Sequence, residues 1–177
     1  MRLPVSIRRY EAGDFARCME LYELNAPGRF PSDGAAGFQA ALRKPGRTTL
    51  IATTGPVMIG VGGISVDARP SCYVAHLSYG MIDPEWHGRG AGTLLLLARV
   101  ATLPRPTPWG VLKMANVSAA APFYQRFGFG PYHEVDPDGL LRHAAAIDED
   151  GWTATRRIVE ACGICLDSLA VKAAGDS

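Results

Sequence analysis

The chain is short of cysteine, of net charge and of long apolar runs, and each shortage excludes a class of protein. Four cysteines in 177 residues (Cys18, Cys72, Cys162 and Cys165) are too few for a disulfide scaffold. A net charge of +1 gives no case for nucleic acid or a membrane surface as a general partner. No apolar stretch reaches the roughly 18 residues a membrane helix needs, and Met1-Arg2-Leu3-Pro4 shows no signal-peptide pattern. The expectation is a soluble, cytoplasmic protein. No repeat or low-complexity segment occurs, and 47% hydrophobic residues suffice for the core of one domain.

A further absence is local. No Asp or Glu stands between Glu85 and Glu134, an interval that carries Arg89, Arg99, Arg105, Lys113 and Arg126. At its start a hydrophobic strand ends at Ile82, Pro84 breaks it, and a glycine-spaced turn (Gly88, Arg89, Gly90, Ala91, Gly92) leads into an apolar helix. Free backbone N–H groups at a helix N-terminus favour a phosphate, and glycine lets a ligand come close to the backbone. The loop therefore reads as a pyrophosphate site. A Walker-type loop would need a lysine after its last glycine, but Thr93 and Leu94 follow Gly92. A dinucleotide fingerprint would need a ribose-reading acid about twenty residues on, and the acid-free interval excludes it.

Ile82-Asp83-Pro84-Glu85-Trp86-His87-Gly88-Arg89-Gly90-Ala91-Gly92 resembles the acetyl-CoA-binding motif of the GCN5-related N-acetyltransferase (GNAT) superfamily, with His87 where the family usually has Arg or Gln. A second resemblance follows downstream: a strand ending at Asn116, a short helix carrying Phe123-Tyr124, and a closing Gly128-Phe129. The gap from Asn116 to Tyr124 is one residue longer than usual, and Ser118 is an alternative to Asn116. The resemblance implies that Met81 and Ile82 line the cysteamine end of acetyl-CoA. It implies that His87, Gly88, Arg89, Gly90, Ala91, Gly92 and Thr93 form the pyrophosphate loop. Asn116 would bond the pantetheine arm and Tyr124 would protonate the departing thiolate. An unperturbed phenol is protonated at neutral pH and suits that step.

The pattern along the chain is mixed α/β. Residues 5–10 alternate as a strand, and Asp14 is a plausible N-cap for a helix to about residue 24. Ser32 or Asp33 would cap a second helix to about Arg43. Residues 48–54 and 57–66 read as a hairpin through Gly55-Pro56, and 73–82 as the strand entering the glycine loop. Residues 103–108 hold three prolines and form a linker. A strand over 110–115, a helix over 119–127 and a strand pair over 132–135 and 140–147 follow. A last helix, from Thr153 to about Lys172, would place Cys162 and Cys165 on one face beside Ile158 and Leu169 as small core residues. Their Cys-x-x-Cys spacing would otherwise suit redox or zinc chemistry, but zinc lacks a second ligand pair, so no metal is expected.

The expected fold is thus α/β (α+β): a GNAT-like mixed, mostly antiparallel central sheet flanked by helices, with an extra C-terminal helix. Residues 1–150 would form the acetyltransferase domain, and 151–177 an extension covering exposed sheet or making a dimer contact. The function implied is acetyl transfer from acetyl-CoA to an amine of a small molecule or peptide. A catalytically degenerate acyl-CoA-binding module is the alternative. Many relatives carry a glutamate base on the strand that here offers only Lys113; His76, Tyr79 or a water relay are the candidates. In the segment between the first two helices, Arg29 would grip an acceptor carboxylate while Phe30 packs against the substrate.

Overall fold

The computed structural model describes residues 4–26, 30, 34–116, 120–132 and 140–169. Seven strands form one sheet in the order β1-β2-β3-β4-β5-β7-β6. They are β1 (Ser6–Arg9), β2 (Thr48–Thr54), β3 (Val57–Arg69), β4 (Cys72–Ile82), β5 (Trp109–Asn116), β6 (Gly130–Pro131) and β7 (Leu141–Asp148). Every pairing is antiparallel except β4 with β5. The helices are α1 (Phe15–Asn25), α2 (Gly34–Arg43), α3 (Ala91–Ala101), α4 (Ala121–Gln125) and α5 (Glu149–Ala161). The expected mixed, mostly antiparallel sheet flanked by helices is the one observed.

Helices cover both faces of the sheet, so central strands are apolar on both sides. In β2, Leu50 and Ala52 pack with α3 while Ile51 packs with α1 and α2, and all three are fully buried. The core against α3 is built from Ile59, Ile64, Ala75 and Leu77 with Leu95, Leu96 and Ala98. The opposite core joins Cys18, Leu21, Tyr22, Phe38 and Leu42 to Val61 and Met81. Burial there pushes the Cys18 thiol up to about 12, which leaves it a small apolar filler.

Two expectations need correction. Asp14 is the N-cap residue of α1 as expected, but its carboxylate makes no capping bond and accepts instead from the Glu11 backbone N–H at 2.9 Å and from the Arg8 guanidinium at 2.7 Å. The Arg8 bond, opposed by partial burial, holds the Asp14 carboxyl below its ordinary value. The last helix starts earlier and ends earlier than its periodicity suggests. Asp148 caps it by accepting from Gly151 N–H at 2.8 Å. It stops because Gly163 takes a left-handed φ of +81°, and the Gly163 and Ile164 N–H groups close back on the Glu160 and Val159 carbonyls. Cys162 and Cys165 therefore lie outside the helix and are exposed, as is Ile158; Val159, Ile164, Leu166 and Leu169 form the buried contact instead. The helix lies along α3, where Trp152 Nε1 donates to the Leu103 carbonyl at 3.0 Å and Arg156 to that of Ala101 at 3.1 Å. No described helix is long and apolar enough to cross a membrane.

The feature that positions the site is a bulge in β4. Gly63 pairs with Ser78 and Val61 with Met81, so Tyr79 and Gly80 together oppose Gly62. Tyr79 takes a φ of +50°, a conformation that costs a non-glycine residue about 1–2 kcal/mol. Beyond the bulge, the end of β4 is seated closely on β3. A Cβ on Gly60 would collide with the Ile82 side chain and come within 2.9 Å of the Met81 carbonyl oxygen. Gly60→Ala is expected to lower unfolding stability by about 1–3 kcal/mol through this overpacking. Urea denaturation checks it; an unchanged midpoint would mean that the end of β4 yields freely.

Candidate active site

β4 pairs with β5 only from Cys72 with Trp109 to His76 with Lys113. The bulge then turns β4 aside, and its last residues run on to Ile82 without a partner in β5. A gap opens between two parallel strands in mid-sheet. At its mouth the chain makes one turn of 3-10 helix, Pro84–Trp86, capped by Asp83, whose carboxylate accepts from Glu85 N–H at 3.0 Å. A 2.6 Å ion pair to Arg17 fixes Asp83 to α1. The His87 ring donates through Nε2 to the Ile82 carbonyl at 2.9 Å, and Asn25 Nδ2 donates to the same oxygen at 3.2 Å. His87 thus ties the loop to the end of β4.

Gly88 and Gly90 have φ of +73° and +88°, and Gly90 is the N-terminal cap of α3. The first bond of α3 runs from Leu94 N–H to the Gly90 carbonyl at 3.0 Å, which leaves the N–H groups of Ala91, Gly92 and Thr93 ahead of the helical ladder. A Cβ built on Gly88 or Gly90 would meet nothing within 4 Å, so this face of the loop is open. Arg89 is exposed and lies over the Trp86 ring at 5.1 Å. Met81 and Ile82 are both buried but face opposite ways, Met81 toward α1 and α2, Ile82 toward α3.

Tyr124 is buried on α4, edge-on to Phe123 (4.9 Å) and Phe129 (6.0 Å). Its hydroxyl favours the charged form of Arg99, a residue the sequence reading passed over. Arg99 is 2% exposed, and no acidic group pairs with it among the described residues. Its side chain runs from α3 under the β4 bulge, where a Cβ on Gly62 would lie 2.9 Å from its Cδ and one on Gly80 2.8 Å from Nη2. Burial pushes the guanidinium below its ordinary value, and Tyr124 opposes that shift. Nε and Nη1 find no partner among the described residues. The sequence did hold a signal: Arg99 follows Ala91 and Leu95 at spacings of four, on the apolar stripe of the helix.

On the other face, His76 is exposed and 3.2 Å from Asp67. Phe30 packs against Tyr22 at 5.1 Å and Tyr79 at 6.2 Å. Asn116 ends β5 opposite Leu141. The reading of its side chain lies outside the described residues, as do Arg29 and Ser118. The fold thus brings the glycine loop, Ile82, Tyr124 and Arg99 to one side of the gap, and Met81, Phe30 and His76 to the other side.

The family model of the acetyltransferase (GNAT) domain matches residues 45–131, and this part of the chain belongs to that family. The fold is shared with solved acetyltransferases. One is an acetyltransferase of the GNAT family from Desulfovibrio desulfuricans, with a TM-score of 0.63 at 18% identity over 81% of this chain and 98% of that one. The PaiA N-acetyltransferase of Thermoplasma acidophilum in complex with coenzyme A gives 0.59 at 15% identity over 81% and 99%. The ribosomal-protein-S18-alanine N-acetyltransferase of Escherichia coli gives 0.58 at 16% identity over 81% and 94%. No curated protein matches the chain in sequence.

A buried cation without an acid is costly, and an apolar side chain of similar length removes that cost. Arg99→Met is expected to leave stability unchanged or to raise it by about 1–4 kcal/mol. Thermal unfolding reads this directly; a fall of several degrees would mean that Arg99 contributes to folding.

Proposed function

We propose that the chain is an acetyl-CoA-dependent N-acetyltransferase acting on a primary amine. The observation that carries this reading is the parting of β4 from β5 beside an open, glycine-built helix N-terminus. A diphosphate seats on the N–H groups between Gly88 and Thr93, where the helix dipole favours its charge, while the pantetheine arm lies in the gap. The Ile82 N–H, on the edge of β4 that has parted from β5, holds the thioester oxygen. The bound coenzyme A in the Thermoplasma acidophilum protein supports the choice of donor.

The reaction then uses groups on both sides of the gap. The amine nitrogen attacks the acetyl carbonyl carbon, and the oxyanion forms against the backbone donors of β4. Collapse makes the C–N amide bond and breaks the C–S bond. The thiolate takes the Tyr124 phenol proton, which solvent restores, and the nitrogen gives up a proton to His76, directly or through water. Asp67 orients the His76 ring. Arginine is a donor only, so toward Arg99 the Tyr124 oxygen can only accept. That leaves the phenolic hydrogen free to point at the sulfur.

Titration calorimetry with acetyl-CoA, with ATP and NAD as controls, is the direct test of the donor. One-site binding of acetyl-CoA alone is expected. Gly90→Val, which places a branched side chain in the diphosphate path, is expected to abolish that binding in a protein still folded by circular dichroism. Retained affinity would remove the loop from the site. Tyr124→Phe is expected to lower kcat about 10²–10⁴-fold with acetyl-CoA affinity unchanged. Wild-type turnover by that variant would take Tyr124 out of the mechanism, while binding without turnover in the native protein would assign it to acyl-CoA sensing.

A further inference from the structure

Arg47 stands immediately before β2, on the face of the sheet covered by α1 and α2. Its Nη2 donates to Ser78 Oγ, and its guanidinium lies over the Tyr79 ring at 5.7 Å. It reaches there across Gly63, where a Cβ would collide with the guanidinium. The other described arginines with ionic partners meet carboxylates: Arg8 with Asp14, Arg17 with Asp83 and Glu20, Arg105 with Glu149, Arg156 with Glu160. Arg47 is half-buried and, among the described residues, has only a hydroxyl and a ring. Burial pushes it below its ordinary value, and the nearby Arg99 adds to that shift. Among the described residues one of its five N–H donors is used, which leaves the planar fork that suits a carboxylate.

The surroundings narrow the ligand. Tyr79 is one wall of an aromatic cluster with Phe38 at 4.9 Å and Phe30 at 6.2 Å, and Tyr22 joins both phenylalanines. No described carboxylate pairs with Arg47 or Ser78. Tyr79 directly precedes Gly80, Met81 and Ile82, the segment that leaves β5 and holds the thioester oxygen in the proposed reaction. A cation at this point repels an acceptor carrying several positive charges and attracts one that also carries a negative charge.

We propose that Arg47, with Ser78 and the Tyr79 ring, binds the carboxylate of the acceptor, which is an amino acid with an apolar or aromatic side chain. This rests on the acetyltransferase reading. The carboxylate takes the free edge of the guanidinium, and the side chain lies against the rings of Phe30 and Tyr79. The amine attacks the thioester to give an N-acetylamino acid and free CoA thiol, with one proton passing from nitrogen to the base and one from Tyr124 to sulfur.

The test measures CoA thiol release with phenylalanine, tyrosine, tryptophan, leucine and methionine, each against its own carboxamide, with spermidine as a polycationic comparison. The acids are expected to exceed their amides in kcat/KM by about ten- to a hundredfold, mostly through KM. In Arg47→Met that ratio is expected to fall to within about threefold of unity, and Arg47→Lys to give an intermediate ratio. Acetyl-CoA affinity, measured separately by calorimetry, shows that each variant is folded and donor-competent. Equal use of acids and amides, a ratio preserved in Arg47→Met, a preference for spermidine, or acetyl-CoA binding with none of the acids acetylated would each overturn the assignment. Failure of the native protein to bind acetyl-CoA would instead sink the acetyltransferase reading itself.

Discussion

The centre of this molecule is arranged around a guanidinium that has no counter-ion among the described residues. Arg99 sits inside the sheet-to-α3 interface, and room for it exists only because Gly62 and Gly80 have no side chains. Those two glycines belong to the same irregularity, the extra residue in β4 that puts Tyr79 and Gly80 opposite Gly62. The bulge swings β4 from β5, the swing opens the gap, and the space created beneath it is filled by Arg99, whose charge Tyr124 favours. An isolated buried charge is among the most expensive features a fold can hold. Its retention beside the hydroxyl assigned to proton transfer is the pattern expected where local stability has been traded for a polarised site.

A second cation repeats the device on the opposite face. Neighbouring residues of a strand point to opposite sides, so Gly62 makes room for Arg99 and Gly63 for Arg47. Two positive groups thus flank the strand pair from above and below, with no acid attached to either among the described residues. The interval without Asp or Glu that runs from the glycine loop past Tyr124 extends the same field. A polyanionic donor such as the proposed acetyl-CoA would be drawn toward this field.

Much of this was legible in the chain. Strand β2 and the hairpin through Gly55-Pro56 follow from β-branched runs bounded by turn residues, and the glycine loop announces itself by spacing. Three things were not legible, for distinct reasons. The end of α5 depends on Gly163 adopting a left-handed conformation, whereas a hydrophobic repeat of three and four runs on past it through Leu169. Asp14 looks like a helix cap by position, but Arg8 and the Glu11 amide compete for its carboxylate. The bulge leaves no mark in composition at all. Tyr79 is an ordinary strand residue by type, and only the register between β3 and β4 shows that it occupies an extra place. Arg99 and Arg47 were hidden with it, because their meaning comes from glycines on other strands.

The five residue pairs between β4 and β5 form the one parallel ladder in the described sheet. On one side of that seam, β1 to β4 make an antiparallel half-sheet; on the other, β5, β7 and β6 make a second. The two halves are held by a short seam at one end, by the apolar core that both share on the α3 face, and by no strand pairing at the other end among the described residues. Such a body behaves like a clothes-peg whose spring is the Cys72-to-His76 ladder and whose jaws are the loose ends of β4 and β5. Anything gripped between the jaws touches both halves and adds cohesion where the sheet has least of its own, so the weakest boundary of the fold and its working surface are the same line.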